Sequence, residues 1–364
     1  MIAPADEKWL QRAVVEGANG TRAVRPNPKV GCVVVADGQL AGAGFHAACG
    51  GPHAEIVALQ AAGGAARGAT AYVTLEPCAH YGRTGPCVDA LVAAGIVRVV
   101  IGAADPHPQA QGGAAALRSA GIAVEFASDP TPALRLAEVF FANQHYQRPW
   151  VQLKLAMTMD GRTAAADATS RWITGSEARA QVAALRAHAD AVVVGSGTAL
   201  ADNPRLDVRH GSDPAARLPV RVVVDRRGRL AAEPGCALHL HDASHQPTWV
   251  ITGQNDVDWS RFCAGGAQVC GVAEGDDWLH RALAELLRRG VYHLLCEGGA
   301  TLAAALVQAR CVDQVELLVA PKLLGSGVPV MASLGIGTLA DAYVWQWDGV
   351  QRCGDDVWLS ARPV

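Results

Sequence analysis

The sequence predicts an α/β protein built as two domains. Three observations carry this prediction. At 364 residues the chain is too long for a single compact core of ordinary size. Both halves alternate short β-branched runs with Ala-rich stretches of helical length, the pattern of sheets covered by helices on both faces. At residues 143–149, "NQHYQRP", a helical stretch ends just before a fresh strand, "WVQLKLAMTMDG". The expected domains are therefore residues 1–146 and 147–364.

The elements follow in order. "MIAPADEKWLQRAVVEGANG" reads as an amphipathic helix with an acidic first turn and a stop at Gly20. "KVGCVVVADGQLAGAGFH" reads as a hairpin turning at Asp37-Gly38. "HAEIVALQAAG" is a helix ending at Gly63, and "TAYVTLEP" a buried strand stopped by Pro77. "CVDALVAAG" is a short helix, "VRVVIGAAD" a strand, "GGAAALRSAG" a helix and "IAVEFA" a strand. In the second half, "ADAVVVGSGTAL", "PVRVVVDRRG", "PTWVITG", "VYHLLCEGGATLAAALV" and "QVELLVAPKLLG" each contain a strand. The stretches 202–218 and 226–248 read as variable loops, with His239, His241 and His245 in solvent.

Half the residues are hydrophobic and 18% are charged, so the chain buries a core rather than staying disordered. The formal net charge is −3 and no Lys/Arg-rich run stands out, which argues against nucleic acid or an anionic membrane as partner. No stretch reads as a transmembrane helix, and the N-terminus lacks the pattern of a signal peptide. Ten cysteines lie scattered without a disulfide framework. A reducing cytoplasm is expected, with the cysteines serving as core residues or metal ligands.

Two of those cysteines sit in "LEPCAHYGRTGPC", residues 75–87, and upstream "GPHAEIVAL" supplies His53 and Glu55. One imidazole and two thiolates, His53, Cys78 and Cys87, make a three-ligand zinc site with a position open for water. Zinc lowers the pKa of that water. Glu55, not a ligand, would carry its proton to a leaving ammonia. His53 and Glu55 lie in the first turn of a helix, and Cys87 opens another helix after Pro86, where the dipole favours a thiolate.

H-x-E followed by P-C…C is the zinc nucleobase-deaminase signature. Its usual tail is P-C-x-x-C, whereas eight residues separate Cys78 from Cys87. Each part alone is weak, since buried free cysteine is common and a redox pair would use C-x-x-C. A structural zinc with His80 as fourth ligand is the main rival, but it leaves Glu55 without a role. In the second half, "VVVGSGTALAD" approaches a Rossmann fingerprint but lacks the third glycine and the acidic residue after the next strand.

The stretches "RPNPKVGCVVV", "GFHAACGGPHAE" and "LEPCAHYGRTGPC" resemble the deaminase half of the bifunctional riboflavin-biosynthesis deaminase–reductases. In that family the wide cysteine spacing is the rule. "KLAMTMDGRTA", "SRWITG", "LRAHADAVVVGSGTALADNPRLDVR", "PVRVVVD", "CEGGATLAAAL" and "APKLLG" resemble its reductase half. The resemblance implies a three-layer αβα, cytidine-deaminase-like zinc domain and a dihydrofolate-reductase-like domain. Their cofactors would be one Zn2+ and NADPH.

By the same resemblance, Asn27, His46, His80 and Arg83 would contact the aminopyrimidine or its ribose phosphate. Ser170, Arg186, Leu206, Arg209 and Glu297 would hold the reductase substrate. Ala156, Trp172, Thr198, Asp202, Gly299, Ala300, Thr301 and Leu302 would line the NADPH site. Lys154 is the candidate catalytic cation near the ribose. Arg226 or Arg227 is the expected 2′-phosphate ligand. Assembly as a dimer or tetramer through the reductase domain is also implied.

The sequence departs from the family pattern at Gly85, at His107, and at Ala168 and Thr169, where the family commonly has glycine and an acidic residue. The loop over the cofactor is therefore expected to differ in shape. One rival is a deaminase of another nucleobase or of tRNA with an unrelated C-terminal domain. Another is a non-catalytic binding protein with a structural zinc.

Overall fold

A computed structural model describes residues 2–81, 85–106, 112–208, 218–233 and 238–364. Arg83, His107 and Arg209 lie outside the described residues. The chain forms two compact units, residues 1–147 and 148–364.

The first unit runs α1 (Pro4–Ala18), β1 (Gly31–Ala36), β2 (Gln39–Phe45), α2 (Ala54–Ala62), β3 (Thr70–Leu75), α3 (Cys87–Ala93) and β4 (Arg98–Ala103). It continues with α4 (Gly113–Ser119), β5 (Ala123–Phe126), α5 (Thr131–Leu136) and α6 (Glu138–Tyr146). The sheet order is β2-β1-β3-β4-β5. The β1–β2 turn falls at Asp37 and Gly38, both with positive φ, as a two-residue hairpin connection requires.

Alternation along the strands splits this core in two. Val33, Val35, Tyr72 and Val100 face Leu10 and Ala13 of α1. Cys32, Val34, Val73 and Ile101 face Ala58 of α2, Leu91 of α3 and Leu117 of α4. With both faces buried, β1, β3 and β4 read as continuous apolar runs. Asp6 in the first turn of α1 ties the layers together. It accepts hydrogen bonds from the Tyr72 hydroxyl at 2.7 Å and from Arg98 at 2.7 and 2.8 Å.

The second unit comprises β6 (Trp150–Thr158), β7 (Arg162–Ala164), α7 (Ser176–His188), β8 (Ala191–Gly195), α8 (Ser196–Asp202), β9 (Val220–Val224), β10 (Thr248–Thr252), α9 (Ser260–Ala264) and β11 (Gln268–Gly271). Then come α10 (Trp278–Arg288), β12 (His293–Cys296), α11 (Ala300–Gln308), β13 (Gln314–Ala320), β14 (Val328–Pro329), β15 (Trp345–Cys353) and β16 (Asp356–Pro363). Among the described residues, nine strands form one sheet in the order β11-β10-β9-β8-β12-β6-β13-β16-β15, parallel up to β13. The C-terminal hairpin adds antiparallel to it. In the central register Leu153 of β6 opposes Cys296 of β12, so Lys154 and Glu297 emerge at the same level.

The stretch 226–248 is less loose than its composition suggests. Leu230, Leu238 and Leu240 are buried against Trp259 and Phe262. Arg221 on β9 donates to the carbonyls of His239 (3.1 Å), Asp242 and Gln246 (2.9 Å). Among the described residues, no helix is long and apolar enough to cross a membrane.

Candidate active sites

In the first unit, His53 is the residue that caps the N-terminus of α2 and Cys87 is the first residue of α3. Cys78 follows β3 in the loop after Pro77. His53 Nδ1 lies 3.2 Å from Cys87 Sγ and 3.6 Å from Cys78 Sγ, and all three donor atoms fall within 4.8 Å of one another. Zinc bonds of roughly 2.1 Å to nitrogen and 2.3 Å to sulfur give a tetrahedral N–S edge of about 3.6 Å. The donor set and its spacing therefore fit zinc. Among the described residues this is the sole such cluster, and exposed His80 is not part of it.

The electrostatics of the cluster are internally matched. Its hydrogen bond with Cys87 holds the Cys78 thiol well below the usual thiol range against the opposing effect of burial, and His53 adds to the lowering. The same bond, together with burial, pushes the Cys87 thiol up. Cys78 in turn raises His53. Glu55 is buried, with 4% exposure, and burial pushes its carboxyl up. It is a carboxyl suited to hold a proton and release it.

Asn27 and His46 stand beside the cluster. Asn27 Nδ2 is 3.1 Å from His46 Nε2, and His46 Nδ1 is 3.0 Å from the Pro52 carbonyl. The His46 ring meets the His53 ring edge-on at 5.4 Å. Sequence reasoning missed the support beneath Cys78. Buried Glu76 accepts from the Ala114 amide at 2.9 Å, and Gly113 lies where a Cβ would strike the Pro77 carbonyl.

In the second unit two adjoining clefts open where β8 and β12 end. The first, of about 660 Å³, is lined by Thr198, Asp202 and Arg226, and by Gly299, Ala300, Thr301 and Leu302 at the start of α11. The Gly299 amide donates to Thr198 Oγ1 at 2.9 Å. A helix N-terminus behind glycines offers amide hydrogens to anionic groups, as a dinucleotide requires. Arg227 and Arg229 line the same cleft.

The second cleft, of about 690 Å³, is lined by Lys154, Arg186, Leu206 and Glu297, and also by Ala156 and Trp172. Ser170, Thr198, Asp202 and Glu297 belong to both clefts. Glu297 grips Arg186 through two hydrogen bonds of 2.5 and 3.0 Å, and its Oε2 is 3.9 Å from Lys154 Nζ. Burial pushes Lys154 down, Glu297 pulls it back up and Arg186 lowers it. Burial also pushes Glu297 up, but Arg186 and Lys154 overcome this and leave it low.

Ala168 has φ 68, the left-handed conformation that glycine would adopt at that point of the loop. Thr169 donates to Asp167 Oδ1 from both its amide and its hydroxyl. Sequence reasoning also missed Arg171, Arg179 and His239 on the second cleft. Only His239 carried a sequence signal, and there it pointed to solvent.

Residues 4–103 match the cytidine and deoxycytidylate deaminase zinc-binding region, and residues 149–359 match the RibD C-terminal domain. The units thus define an enzyme class: a cytidine-deaminase-like zinc domain joined in one chain to a reductase domain of dihydrofolate-reductase-like fold. Riboflavin biosynthesis protein RibD of Haemophilus influenzae is 40% identical over 371 residues, 98% of this chain and 96% of its own. The Escherichia coli protein is 39% identical over 370 residues, 97% and 98% of the two chains.

Among solved structures, Acinetobacter baumannii RibD matches with TM-score 0.85 at 39% identity, covering 99% of both chains. The Thermotoga maritima diaminohydroxyphosphoribosylaminopyrimidine deaminase/5-amino-6-(5-phosphoribosylamino)uracil reductase matches with TM-score 0.86 at 33% identity, again over 99% of both. This chain belongs to the bifunctional riboflavin-biosynthesis deaminase–reductase family. The match over residues 149–359 removes the rival reading of an unrelated C-terminal domain.

Proposed function

We propose that residues 1–146 deaminate 2,5-diamino-6-(5-phosphoribosylamino)pyrimidin-4-one. Residues 147–364 then reduce the ribosyl group of 5-amino-6-(5-phosphoribosylamino)uracil with NADPH. The observation that carries the first half is the convergence of His53, Cys78 and Cys87 beside a buried, non-ligand Glu55. Zinc held by these three residues supplies Lewis acidity, bringing deprotonation of a water toward neutral pH. Glu55 takes that proton and returns it to the departing amine. Asn27 reads the base edge, oriented by His46, and His80 and Arg83 engage the ribose phosphate.

In the reductase, NADPH supplies the hydride. Lys154 holds a proton at Nζ for the opened sugar, while Glu297 fixes both Lys154 and Arg186 against the substrate. Ser170, Leu206 and Arg209 complete the substrate site. Ala156 and Trp172 reach the cofactor from the second cleft, and Thr198, Asp202 and residues 299–302 hold it from the first. Arg226 lines that cleft, but its guanidinium is bound to Glu274 at 2.6 and 2.8 Å. That pair is exposed and weak enough to give way to a phosphate, so Arg226 or its neighbour Arg227 on the same cleft takes the 2′-phosphate, which supports NADPH over NADH.

Exposed Trp347 and Val350 on edge strand β15 suit pairing with a second copy through the reductase domain. The described cysteines are free thiols, as a cytoplasmic protein would have. Incubating zinc-loaded enzyme with the diaminopyrimidine ribotide tests the whole reading. Ammonia release without NADPH is expected, followed by NADPH oxidation once the cofactor is added. No ammonia release would end the deaminase assignment, and no oxidation after deamination would end the reductase one.

A further inference from the structure

The loop Ser170–Gly175 borders both reductase clefts, through Ser170 on the two and Trp172 on the second. It lies outside helix and strand, so side chains from elsewhere take its backbone groups. Arg179 donates to the Thr174 carbonyl at 2.7 Å and lays its guanidinium 4.6 Å from the centre of the Trp172 ring. Asp356 accepts from the Gly175 amide at 2.7 Å. Lys322, in the "APKLLG" stretch, donates from Nζ to the Trp172 carbonyl at 2.8 Å and the Ile173 carbonyl at 2.7 Å.

Lys322 is itself held from the other side. Its carbonyl accepts from the Met159 amide at 2.9 Å, and Asp160 accepts from the amides of Leu324 and Gly325. The turn after β6, the strand that carries Lys154, thereby fixes the base from which Lys322 reaches the loop. Lys322 lines neither cleft, and among the described residues it forms no ion pair. An ordinary surface lysine keeps its ammonium in water. This one is placed on two consecutive carbonyls about 150 positions away in sequence, and such charge-assisted bonds are the stronger kind.

We propose that Lys322 is a positioning residue of the reductase, holding the Ser170–Gly175 loop in the conformation that lines both clefts by bonding the Trp172 and Ile173 carbonyls. The proposal rests on the assignment of these clefts to NADPH and substrate. A loop that occupies its binding conformation a tenth of the time weakens apparent affinity about tenfold. Saturating ligand restores that conformation, so the loss belongs in KM rather than kcat.

The test compares Lys322→Met and Lys322→Arg in the full-length enzyme. The ligand-free Met variant should exchange the amides of residues 170–175 faster than wild type, with the rest of the chain unchanged. Its Kd for NADP+ by calorimetry and its KM values for NADPH and substrate should rise about tenfold. Its kcat and its deaminase activity should stay close to wild type, and arginine should recover most of the binding. Wild-type exchange in this loop would overturn the proposal. So would exchange rising throughout the reductase domain, or a loss in kcat alone. Because exchange is read without ligand, failure of the cofactor assignment would show separately, as absence of NADP+ binding by wild type.

Discussion

Glu297→Gln isolates the charge at the centre of the reductase site. Glutamine keeps the volume and an acceptor for Arg186 but removes the negative charge 3.9 Å from Lys154 Nζ. At an effective dielectric constant near 20, that pair interacts by about 4 kcal/mol, about a thousandfold in the proton affinity of Lys154 at the limit. Solvent at the cleft mouth damps this, so a loss of at least about tenfold is expected. Burial already holds Lys154 low and Arg186 lowers it further, so losing Glu297 moves it lower still.

If the protonated ammonium is the working form, activity is present below the Lys154 pKa and lost as pH rises through it. The alkaline limb of kcat/KM for NADPH oxidation, measured on the deaminated substrate, should therefore fall at lower pH in Glu297→Gln. The height of the profile should drop as well, because Glu297 is also proposed to hold substrate, but only the position of the limb reports the charge. A variant whose alkaline limb coincides with that of wild type would refute the electrostatic role of Glu297 and remove Lys154 as proton donor.

Other substitutions test the framework around the sites. Gly113→Ala places a Cβ against the Pro77 carbonyl, next to Cys78. It should cost about 1–3 kcal/mol and lower zinc content by metal analysis, while NADPH oxidation on the pre-deaminated substrate persists. Ala168→Gly relieves the left-handed alanine and should stabilise the second unit by about 1 kcal/mol, read as a higher melting temperature. Asp6→Asn breaks the buried contacts to Arg98 and Tyr72 and should destabilise the first unit by about 3 kcal/mol. The bond from Arg98 holds the Asp6 carboxyl far below the usual carboxylate range, with burial opposing. Its stabilisation is therefore complete above about pH 4 and lost as pH falls further. The variant and wild type should converge in stability at the acid end.

The central strands of both units were legible because they are buried on both faces and read as short, mostly apolar runs. "VVVA" of β1, "VVVG" of β8 and "HLLC" of β12 needed no context. The edges were harder. In β15, "WQWDGVQRC", five of nine positions are half-buried or exposed polar residues or glycine beside two isolated tryptophans and a valine, so no period marks the strand. Helix α7, "SEARAQVAALRAH", has only Ala178, Val182 and Ala183 buried, too thin an apolar stripe for sequence to separate from an alanine-rich connection.

The same contrast separates the two sites. His53, Glu55, Cys78 and Cys87 lie within 35 residues, and metal chemistry restricts which side chains can take part, so spacing and residue type together specify the centre. The reductase clefts draw on β6, β8, α7, α8, α10, α11 and the segments that follow β7, β9 and β12, and their lining includes many arginines, glycines and alanines, residue types with many other uses. There the resemblance, not spacing, named the residues. What neither could reveal was pairing: Arg186 bound to Glu297, Arg226 bound to Glu274, and Lys322 bound to two carbonyls. An arginine in sequence is a free charge. In the fold, its existing partner sets what receiving a phosphate costs, so Arg226, paired with Glu274, and Arg227 are to be replaced both singly and together in a test of cofactor preference.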